Sequence, residues 1–369
     1  MNTWDLIYIA FVDLDGPASS GSGVRPKAMA RAFEDLGLKV KVLDGWPRDR
    51  NKRKAAIRDF ETWLEDHTAR ACYIEPPSGP LFLRADRELI RTIHDRGIPI
   101  GLFYRDLFWR FDDKFHGVGK WKIRLIRWMQ ARDLRLFQQN VTRFFFPSPE
   151  VARAADFGVA WEALPPGTVV FDDAAEVAAT RERLLSAPVL NLLYVGGVLG
   201  DYGLSLLLDS LQFLNRTQTR LTLTLVCREA EWQTFQESYP TEDLSWLTVH
   251  HVSGDALTPL YAAADLCVIP RQATPYMHFA VPVKLFEYVS HVKPIVATRL
   301  EATAPFIEQN GIGWTVDDNP KALSDAFDAI LNDRAAAAEK LSALVLTRAD
   351  NTWEQRAAAA FAALTRSER

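Results

Sequence analysis

The chain has 369 residues, a length that suits two domains of ordinary size. Apolar residues make up 48% and charged residues 24%, so disorder, collagen and coiled coil are poor interpretations. Lysine and arginine number 43 and aspartate and glutamate 47, a formal charge of −4 that gives no global reason to bind nucleic acid. Three scattered cysteines form neither a disulfide framework nor a zinc cluster, and they fit a reducing cytosol.

The sequence carries no sign of a membrane span or a signal peptide. No stretch approaches the roughly 20 consecutive apolar residues that cross a bilayer. The N-terminus, Met1-Asn2-Thr3-Trp4-Asp5, has no basic region and no long apolar run. We therefore expect a cytoplasmic protein, at most peripheral on the inner face of the membrane.

Strand-like and helix-like segments alternate through the first part of the chain. Short apolar runs predict strands, and one-sided apolar spacing predicts helices. The strands are expected at 6–11, 38–43, 71–75, 98–104 and 142–146, and the helices at 26–36, 54–66 and 84–95. This alternation indicates parallel βαβ units in a doubly wound sheet, an α/β fold.

Leu164-Pro165-Pro166-Gly167 ends this first domain, and the polar, alanine-rich stretch up to Pro188 is interpreted as a connection. The alternation then restarts and predicts a second doubly wound domain over 188–348. Its strands are expected at 191–195, 221–227, 248–252, 266–270, 294–298 and 313–316, and its helices at 204–214, 259–264, 283–290, 305–310 and 321–332. The tail from residue 335 is alanine-rich and helical, with a break near 349–352. Two such domains normally bind a ligand at the carboxyl ends of their strands.

The loop Val12–Gly23 is long for a βα connection and rich in glycine. We expect Pro26 in the first helical turn, with free backbone N–H groups before it that suit an anion or a hydroxyl. Pro26 breaks the dinucleotide fingerprint, and no Gly-Lys-Ser/Thr follows to make a Walker loop. A flexible turn is the alternative. The residues that would contact a ligand here are Gly21, Ser22 and Gly23.

Two further features lie in the second domain. A predicted strand ends at Tyr194-Val195-Gly196-Gly197, where backbone approach to a phosphate or sugar competes with a plain tight turn. The run from Val281 to Ser290 places Pro282 at a helix start, so the N–H groups of Val283, Lys284 and Leu285 and the helix dipole would attract a diphosphate. Lys284 adds a positive charge, and Glu287 lies one turn on, where a carboxylate can accept two hydrogen bonds from ribose hydroxyls. An ordinary capped helix with a solvated glutamate is the alternative.

The order and spacing of these pieces resemble those of nucleotide-sugar glycosyltransferases of the GT-B fold, in particular the retaining family 4 (group 1) enzymes. The pieces are Pro282 to Tyr288 followed by Lys293 to Thr298, the glycine turn at Tyr194–Gly197, and the segment Leu260–Pro270. The resemblance extends over most of the chain. It implies an acceptor-binding domain at 1–167, a donor-binding domain at 188–348, and a C-terminal helix at 349–369 that packs back on the first domain.

The resemblance also implies roles for individual residues. Glu287 would hold the donor ribose, the amides of Val283 to Leu285 the diphosphate, and the segment around His251 and Val252 would border the base. Gly196 and Gly197 would approach the donor, and Gly21 to Gly23 would reach it from the first domain.

The sequence departs from the family pattern at two places. Phe279 stands where the family usually has a second glutamate, and the neighbouring His278 is the candidate sugar contact instead. The arginine and lysine that often follow the glycine turn are missing, and Arg228 is the nearest substitute. These departures put the identity of the donor, and to a lesser extent activity, in question.

The first domain contains one unusual region. Polar residues follow a buried strand at Tyr104-Arg105-Asp106, and residues 114–135 then combine seven cations with one acid, Asp133. Within this segment Trp121, Leu125, Trp128 and Met129 follow a helical spacing. A basic amphipathic helix with tryptophan is typical of an anionic membrane surface. A core-facing helix with a solvated basic side is the alternative.

Candidate catalytic residues are few. Asp106 and, more loosely by the resemblance, His116 are the candidates near the acceptor, and Glu75, Arg105 and Asp106 are the candidate acceptor contacts. No cluster of histidine and acidic residues and no Asp-x-Asp predicts a metal site, so we expect no metal and no cofactor beyond the nucleoside diphosphate sugar as co-substrate.

The sequence therefore predicts a glycosyltransferase that moves a sugar to a carbohydrate or lipid-linked acceptor in polysaccharide or glycoconjugate synthesis. A saccharide or lipid-linked acceptor, anionic membrane and no nucleic acid are the expected partners. A non-catalytic subunit that activates a partner enzyme is the main alternative. An epimerase or a phosphorylase of similar architecture is another.

Overall fold

The computed structural model describes residues 2–16, 21–115 and 117–366, apart from the side chains of residues 21, 22 and 113. The chain divides into two compact units, Met1–Gly167 together with Trp353–Arg369, and Thr168–Thr352. Each unit is built on a six-stranded sheet whose strands all pair in parallel. The predicted α/β class with two doubly wound, Rossmann-like units is confirmed.

The first unit has the strand order β2-β1-β3-β4-β5-β6. Its strands are β1 (Asn2–Ala10), β2 (Val40–Leu43), β3 (His67–Glu75), β4 (Ile100–Phe103), β5 (Arg143–Phe146) and β6 (Trp161–Ala163). Its helices are α1 (Gly21–Asp35), α2 (Arg50–Asp66), α3 (Arg84–Asp95), α4 (Lys120–Asn140) and α5 (Pro149–Ala155), together with the last helix of the chain, Trp353–Thr365.

The core of this unit depends on strands that are covered on both sides. Every residue from Leu6 to Ala10 is buried, as the apolar run predicts for a central parallel strand. The rings of Tyr8 and Tyr73 stack on adjacent strands with centroids 6.0 Å apart. The last helix packs beside them, and its Leu364 leaves no room for a side chain at Gly101, where a Cβ would lie 2.8 Å from Leu364 Cδ1.

The second unit has the strand order β12-β11-β10-β7-β8-β9. Its strands are β7 (Leu190–Val195), β8 (Leu221–Val226), β9 (Leu247–His250), β10 (Leu266–Ile269), β11 (Ile295–Thr298) and β12 (Gly313–Val316). Its helices are α6 (Ala174–Ser186), α7 (Leu204–Leu214), α8 (Glu229–Gln236), α9 (Thr258–Ala263), α10 (Val283–Ser290), α11 (Ala304–Gln309), α12 (Pro320–Asn332) and α13 (Arg334–Ala349), so the last helix of the chain is α14.

The strand order places a switch point between β7 and β10. From β7 the chain builds outward through β8 and β9, and it then returns to start β10 on the other side of β7. The loops that follow these two neighbouring strands therefore leave in opposite directions, which opens a crevice at the carboxyl edge of the sheet.

Most predicted elements are present, but one helix boundary differs and four elements were not predicted. Helix α1 begins at Gly21, so Pro26 lies inside it rather than in its first turn, and Gly21 and Gly23 belong to that first turn. Strand β6 and helices α5, α6 and α8 were not predicted. Short length explains β6 and α5, which offer too few residues for a readable period.

The second unit begins at Thr168, not at residue 188. Thr168 Oγ1 donates to Arg348 O at 2.6 Å, and the Arg348 guanidinium forms a buried ion pair with Asp173 at 2.6 Å. These contacts tie the start of the unit to α13, so the stretch interpreted as a connection is part of the folded domain.

Candidate functional site

The glycine turn after β7 and the segment after β10 meet at the switch point of the second unit. Gln272 N donates to Asp201 O at 3.0 Å, and Thr274 Oγ1 donates to Asp201 Oδ2 at 3.2 Å. The two segments touch at Gly203, which has a φ of +73° and where an added Cβ would lie 1.7 Å from Pro270 O. Only glycine fits there, so this contact fixes the two loops against each other.

Lys284, in the first turn of α10, places its ammonium group beneath the glycine turn. Nζ lies 3.8 Å from the ring centroid of Tyr194, and a Cβ at Gly196 would come within 3.0 Å of it. The side chain is buried, and Nζ has no hydrogen-bond acceptor in the described part of the chain. A buried ammonium without an acceptor is costly, so this position is a candidate site for an anion.

Arg271 is a second buried cation at the same place. It follows β10 after one intervening residue, Pro270. Its Nη1 donates to Ala280 O at 2.9 Å, whereas its Nε has no acceptor among the described residues. The guanidinium carbon of Arg271 and the Nζ of Lys284 each lie 5.9 Å from the ring centroid of Tyr202. The two groups thus form a cationic pair next to Gly196 and Gly197.

The electrostatics of the pair follow from this crowding. Burial holds the pKa of Lys284 well below its ordinary value, the charge on Arg271 lowers it further, and Glu287 raises it in part. Burial also lowers the pKa of Arg271. An anion between the two groups would relieve both penalties.

The amino end of α10 supplies backbone donors beside the cations. Its N-cap, Pro282, has no side chain that can cap the helix. Val283 N–H and Lys284 N–H have no acceptor within the described residues, whereas Leu285 N donates to Pro282 O at 3.2 Å. The amide of Leu285 is therefore already occupied, and the predicted donor set shrinks to Val283 and Lys284.

Glu287 lies one turn further along α10, and its carboxylate is held by a tyrosine. Tyr261 OH donates to Glu287 Oε2 at 3.4 Å. Burial raises the pKa of Glu287, and the Tyr261 hydroxyl and the Lys284 charge oppose that rise. Its side chain keeps partial contact with solvent, so the carboxylate is oriented but not sealed.

A column of rings supports Tyr261. Its ring stacks on His291 with centroids 3.9 Å apart and planes 8° from parallel, and His291 in turn stacks on Phe171 at 4.8 Å. Burial lowers the pKa of His291 to about 4, so its ring is neutral at neutral pH. The column fixes the orientation of the hydroxyl that positions Glu287.

The other predicted donor residues lie on the same sheet edge, but less deeply. Arg228 is exposed and pairs with Glu231 Oε1 at 3.1 Å, while Glu231 Oε2 accepts from Val198 N at 3.3 Å. His251 follows β9, with Nδ1 at 2.9 Å from Cys227 O, and Val252 beside it is exposed. His278 Nδ1 has Glu301 Oε1 at 3.7 Å. None of these side chains joins the cationic pair.

In the first unit, Glu75 has structural partners. Its carboxylate is buried, accepts from Arg25 Nε at 3.0 Å and Arg105 Nη2 at 3.4 Å, and has Tyr73 OH at 3.4 Å. Arg25 is also buried and donates to the carbonyls of Leu164 and Pro165. We therefore revise the role of Glu75 from direct acceptor contact to positioning of Arg105.

Arg105 and Asp106 reach a small cavity at the carboxyl ends of β3 and β4. Its volume is about 20 Å³, room for roughly one water molecule. Asp106 Oδ1 accepts from Phe108 N at 2.8 Å, which orients the carboxylate. The lining also includes Ser78, Tyr104 and two polar side chains of α4, Gln130 and Asp133.

The remaining predicted site residues belong to the first unit. Gly21, Ser22 and Gly23 open α1 after β1, and His116 lies outside the described residues. Across the described ranges, no group of three or more histidine, cysteine, aspartate or glutamate residues has a metal-binding arrangement.

Sequence reasoning missed Arg271 and Tyr261. Arg271 carries a readable signal, because a charged residue directly after the predicted buried strand 266–270 must emerge at the carboxyl edge. Tyr261 carries none, since an aromatic residue in a short apolar helix predicts only core packing.

Comparison with known proteins decides the family. Residues 190–333 match the family model described as Glycosyl transferases group 1. The second unit is a group 1 glycosyltransferase domain. The chain as a whole has the GT-B fold, and the match over residues 190–333 supports a glycosyltransferase, which confirms the resemblance seen in the sequence.

Three solved structures show how far the fold extends. Sucrose-phosphate synthase from Thermosynechococcus elongatus is 13% identical, with a TM-score of 0.67 over 96% of this chain and 97% of its own. WaaG, a glycosyltransferase involved in lipopolysaccharide biosynthesis, is 14% identical, with a TM-score of 0.66 over 98% of this chain and 100% of its own. HepE from Anabaena, solved with UDP-glucose, is 12% identical, with a TM-score of 0.62 over 97% of this chain and 99% of its own. No curated protein sequence matches the chain.

Replacing Lys284 with methionine should separate stability from binding in this glycosyltransferase. Loss of a buried, unpartnered ammonium should raise Tm by a few degrees. It should also weaken nucleoside diphosphate binding on the order of 10- to 150-fold, the loss of a charged hydrogen bond. Thermal unfolding and titration calorimetry measure the two effects.

Lys293→Met is the matched control. Lys293 is also buried, but its Nζ donates to Thr180 Oγ1 at 2.8 Å, so this variant should lose stability and keep its nucleotide affinity. Equal destabilisation by both variants, with binding intact in both, would contradict the role given to Lys284.

Nucleoside diphosphate binding should take up protons between the lowered pKa of Lys284 and its ordinary value. Burial and the charge on Arg271 lower the pKa of Lys284, and an adjoining diphosphate would raise it again, so binding protonates the amine. Affinity should therefore fall as pH rises through that lowered pKa. On the acid side it should fall as Glu287 protonates, at a higher pH than an ordinary glutamate, because burial raises its pKa.

Calorimetry in two buffers with different heats of ionisation measures this uptake. The wild-type binding enthalpy should depend on the buffer, and that of Lys284→Met should not. A wild-type binding enthalpy that does not depend on the buffer across this pH range would contradict the coupled protonation of Lys284.

Glu75→Ala should destabilise the first unit by about 3–5 kcal/mol, because it leaves Arg25 buried without its carboxylate. Glu162→Ala, which breaks the more exposed pair with Arg143, should cost at most about 1 kcal/mol. Urea unfolding measures both. A Glu75→Ala protein with unchanged stability would restore the direct acceptor role of Glu75.

Proposed function

We propose that the protein transfers a sugar from a nucleoside diphosphate sugar to a carbohydrate or lipid-linked acceptor, with retention at the anomeric carbon and without a metal. One observation carries the proposal. Lys284 and Arg271 are two buried cations with unpartnered N–H groups, next to two free amides of α10. That is a binding site for a compact, multiply charged anion.

The same groups suit the chemistry of the departing nucleotide. As the glycosidic bond breaks, negative charge grows on the diphosphate and positive charge grows at the anomeric carbon. Cations and amides fixed before the reaction stabilise that diphosphate charge without reorganising. Here the two side-chain cations supply the positive charge that a divalent ion supplies in metal-dependent transfer.

Glu287 supports a nucleotide rather than inorganic diphosphate as the ligand. Its carboxylate lies one turn beyond the amides of α10, and Tyr261 OH holds it in position. A carboxylate so placed accepts hydrogen bonds from both hydroxyls of a ribose. His251 and Val252, which follow the edge strand β9, are the residues proposed to border the base.

In the first unit, Arg105 and Asp106 are the proposed acceptor contacts. Glu75 holds Arg105, and the backbone of Phe108 orients Asp106, so both polar groups are fixed at the cavity. No base of unusual pKa is needed if the donor phosphate accepts the acceptor proton, which is how we propose that the configuration is retained.

We further propose a role in polysaccharide or glycoconjugate synthesis at the inner face of the membrane. WaaG, which shares the fold, is described as acting in lipopolysaccharide biosynthesis. In the described part of the chain, no helix has the length and apolarity needed to traverse a bilayer. A lipid-linked acceptor would therefore be met through a peripheral contact.

Glu287→Gln tests the donor site. It should weaken binding of a ribonucleoside diphosphate by about 1.5–3 kcal/mol and lower the preference for ribose over 2′-deoxyribose nucleotides. Glu308→Gln is the control, because Glu308 is an exposed glutamate on α11 that pairs with Arg299, and it should change neither the affinity nor the ribose preference.

Incubation with a panel of nucleotide sugars and acceptors, with nucleotide release as the readout, tests turnover. Absence of both binding and turnover with every donor rejects the proposal.

Phe279 favours one second candidate, a non-catalytic subunit that activates a partner enzyme. The position is apolar, and its ring packs edge-on to Tyr276 with centroids 5.7 Å apart. A carboxylate that could contact the donor sugar is therefore absent from that position. Nucleotide binding without turnover, or turnover only with a partner protein, would select this candidate.

A further inference from the structure

The first half of α4 exposes an apolar stripe to solvent. Trp121 is 66% exposed, Leu125 46% and Trp128 62%, which are high values for large apolar side chains. The three residues follow one another at four and three positions, so they lie on one face of the helix. The helix buries other residues against the first unit, so this face is not the one that holds α4 in the fold.

Cations without acidic partners flank the stripe. Within the described residues, no ion pair involves Lys120, Lys122, Arg124 or Arg135. Two of the acids near the helix are neutralised, since Asp112 pairs with Arg127 at 2.6 Å and Asp133 pairs with Arg132 at 2.7 Å. We call this surface, formed by Trp121, Leu125, Trp128 and the four unpaired cations, the α4 stripe.

The opposite face of the same helix lines the small cavity that holds Arg105 and Asp106. Gln130, Asp133 and Phe137 contribute to that lining. On a helix of 3.6 residues per turn, these positions point away from the α4 stripe. One helix diameter, about 10–12 Å, therefore separates the stripe from the cavity.

We propose that the α4 stripe docks on an anionic lipid bilayer and holds the acceptor cavity at headgroup level. Indole rings favour the membrane interface, and unpaired lysines and arginines favour anionic headgroups. A nucleic-acid surface would present cations without an apolar ridge, and a soluble protein partner would not need four unpaired charges around it. That Arg105 and Asp106, which reach this cavity, then contact a lipid-linked acceptor rests on the proposed function, whereas the docking does not.

Vesicle co-sedimentation of the full chain tests the docking. The protein should sediment with vesicles that contain phosphatidylglycerol and phosphatidylcholine, and poorly with phosphatidylcholine alone. High salt should release it in part, because screening weakens the charge contribution and leaves the apolar one. An excess of free glycerol phosphate should not compete, which separates a bilayer surface from a phosphate site.

Two variants divide the contributions. Trp121→Ser/Trp128→Ser should lower vesicle affinity by about tenfold or more, since each indole buries a large apolar surface. Lys120→Gln/Lys122→Gln/Arg124→Gln should lower it on the order of a hundredfold at low salt, roughly fivefold per cation. Phe213→Ser is the control, because Phe213 is an exposed aromatic residue under Arg216 on α7, outside the stripe. It should bind like the wild type.

Nucleoside diphosphate affinity and Tm should stay at wild-type values in all three variants. The substituted side chains are exposed, and none of them belongs to the proposed donor site. Should the tryptophan variant fail to fold, the glutamine variant still tests whether the α4 stripe binds the vesicles.

Absence of vesicle binding by the wild type at low salt overturns the docking. So does equal binding by the stripe variants, or tighter binding to labelled RNA than to vesicles. If no nucleotide is released in the turnover assay, the proposed function fails but the docking proposal is unaffected. If the protein does not bind vesicles, the docking proposal fails but the proposed donor site is unaffected.

Discussion

Two buried positive charges with no negative partner are the constraint around which the second unit is arranged. Lys284 and Arg271 repel each other, and both are desolvated. The fold tolerates this because the rings of Tyr194 and Tyr202 face the cations and offer electron density in place of a hydrogen bond. If a diphosphate binds here, as proposed, it would find these donors already in place. Gly196 leaves the path to Nζ open, and the Gly203–Pro270 contact keeps the two loops from separating.

The first unit treats a buried cation in the opposite way. Arg25 has a carboxylate, a hydroxyl and two carbonyls within hydrogen-bond distance, so its charge is fully used inside the protein. Arg25 also lies 3.5 Å from the centroid of Phe103. Two Rossmann-like units, each with a six-stranded parallel sheet, thus differ in what their buried cations face. In the first unit, the charge organises the core and, through Glu75, a neighbouring arginine. In the second unit, the two cations lie at the edge of the sheet and keep N–H groups without an acceptor among the described residues.

The sequence predicted the sheets well, because parallel strands buried on both faces leave long apolar runs that few other structures share. It also located α10, which begins at Val283 after Pro282 and carries Glu287 one turn on, because proline suits the start of a helix. It failed where contacts between residues far apart in the sequence determine what a polar group binds. Glu75 looks like an acceptor contact until Arg25, fifty positions earlier, is found beside it. Leu285 looks like a free amide until Pro282 O is seen to accept from it. The cationic pair itself joins residues from two different loops, and no local pattern brings them together.

The ring column from Glu287 through Tyr261 and His291 to Phe171 has a consequence for how the enzyme is put together. Phe171 lies four residues after Gly167, the last residue of the first unit before the chain crosses into the second. The rings of Tyr261 and His291 lie 3.9 Å apart with planes 8° from parallel, and the imidazole carries no charge at neutral pH. The column therefore connects the residue that holds the Glu287 carboxylate to the first residues of the second unit. Removal of the ring of Phe171 or His291 should loosen Tyr261 and, through its hydroxyl, the carboxylate of Glu287.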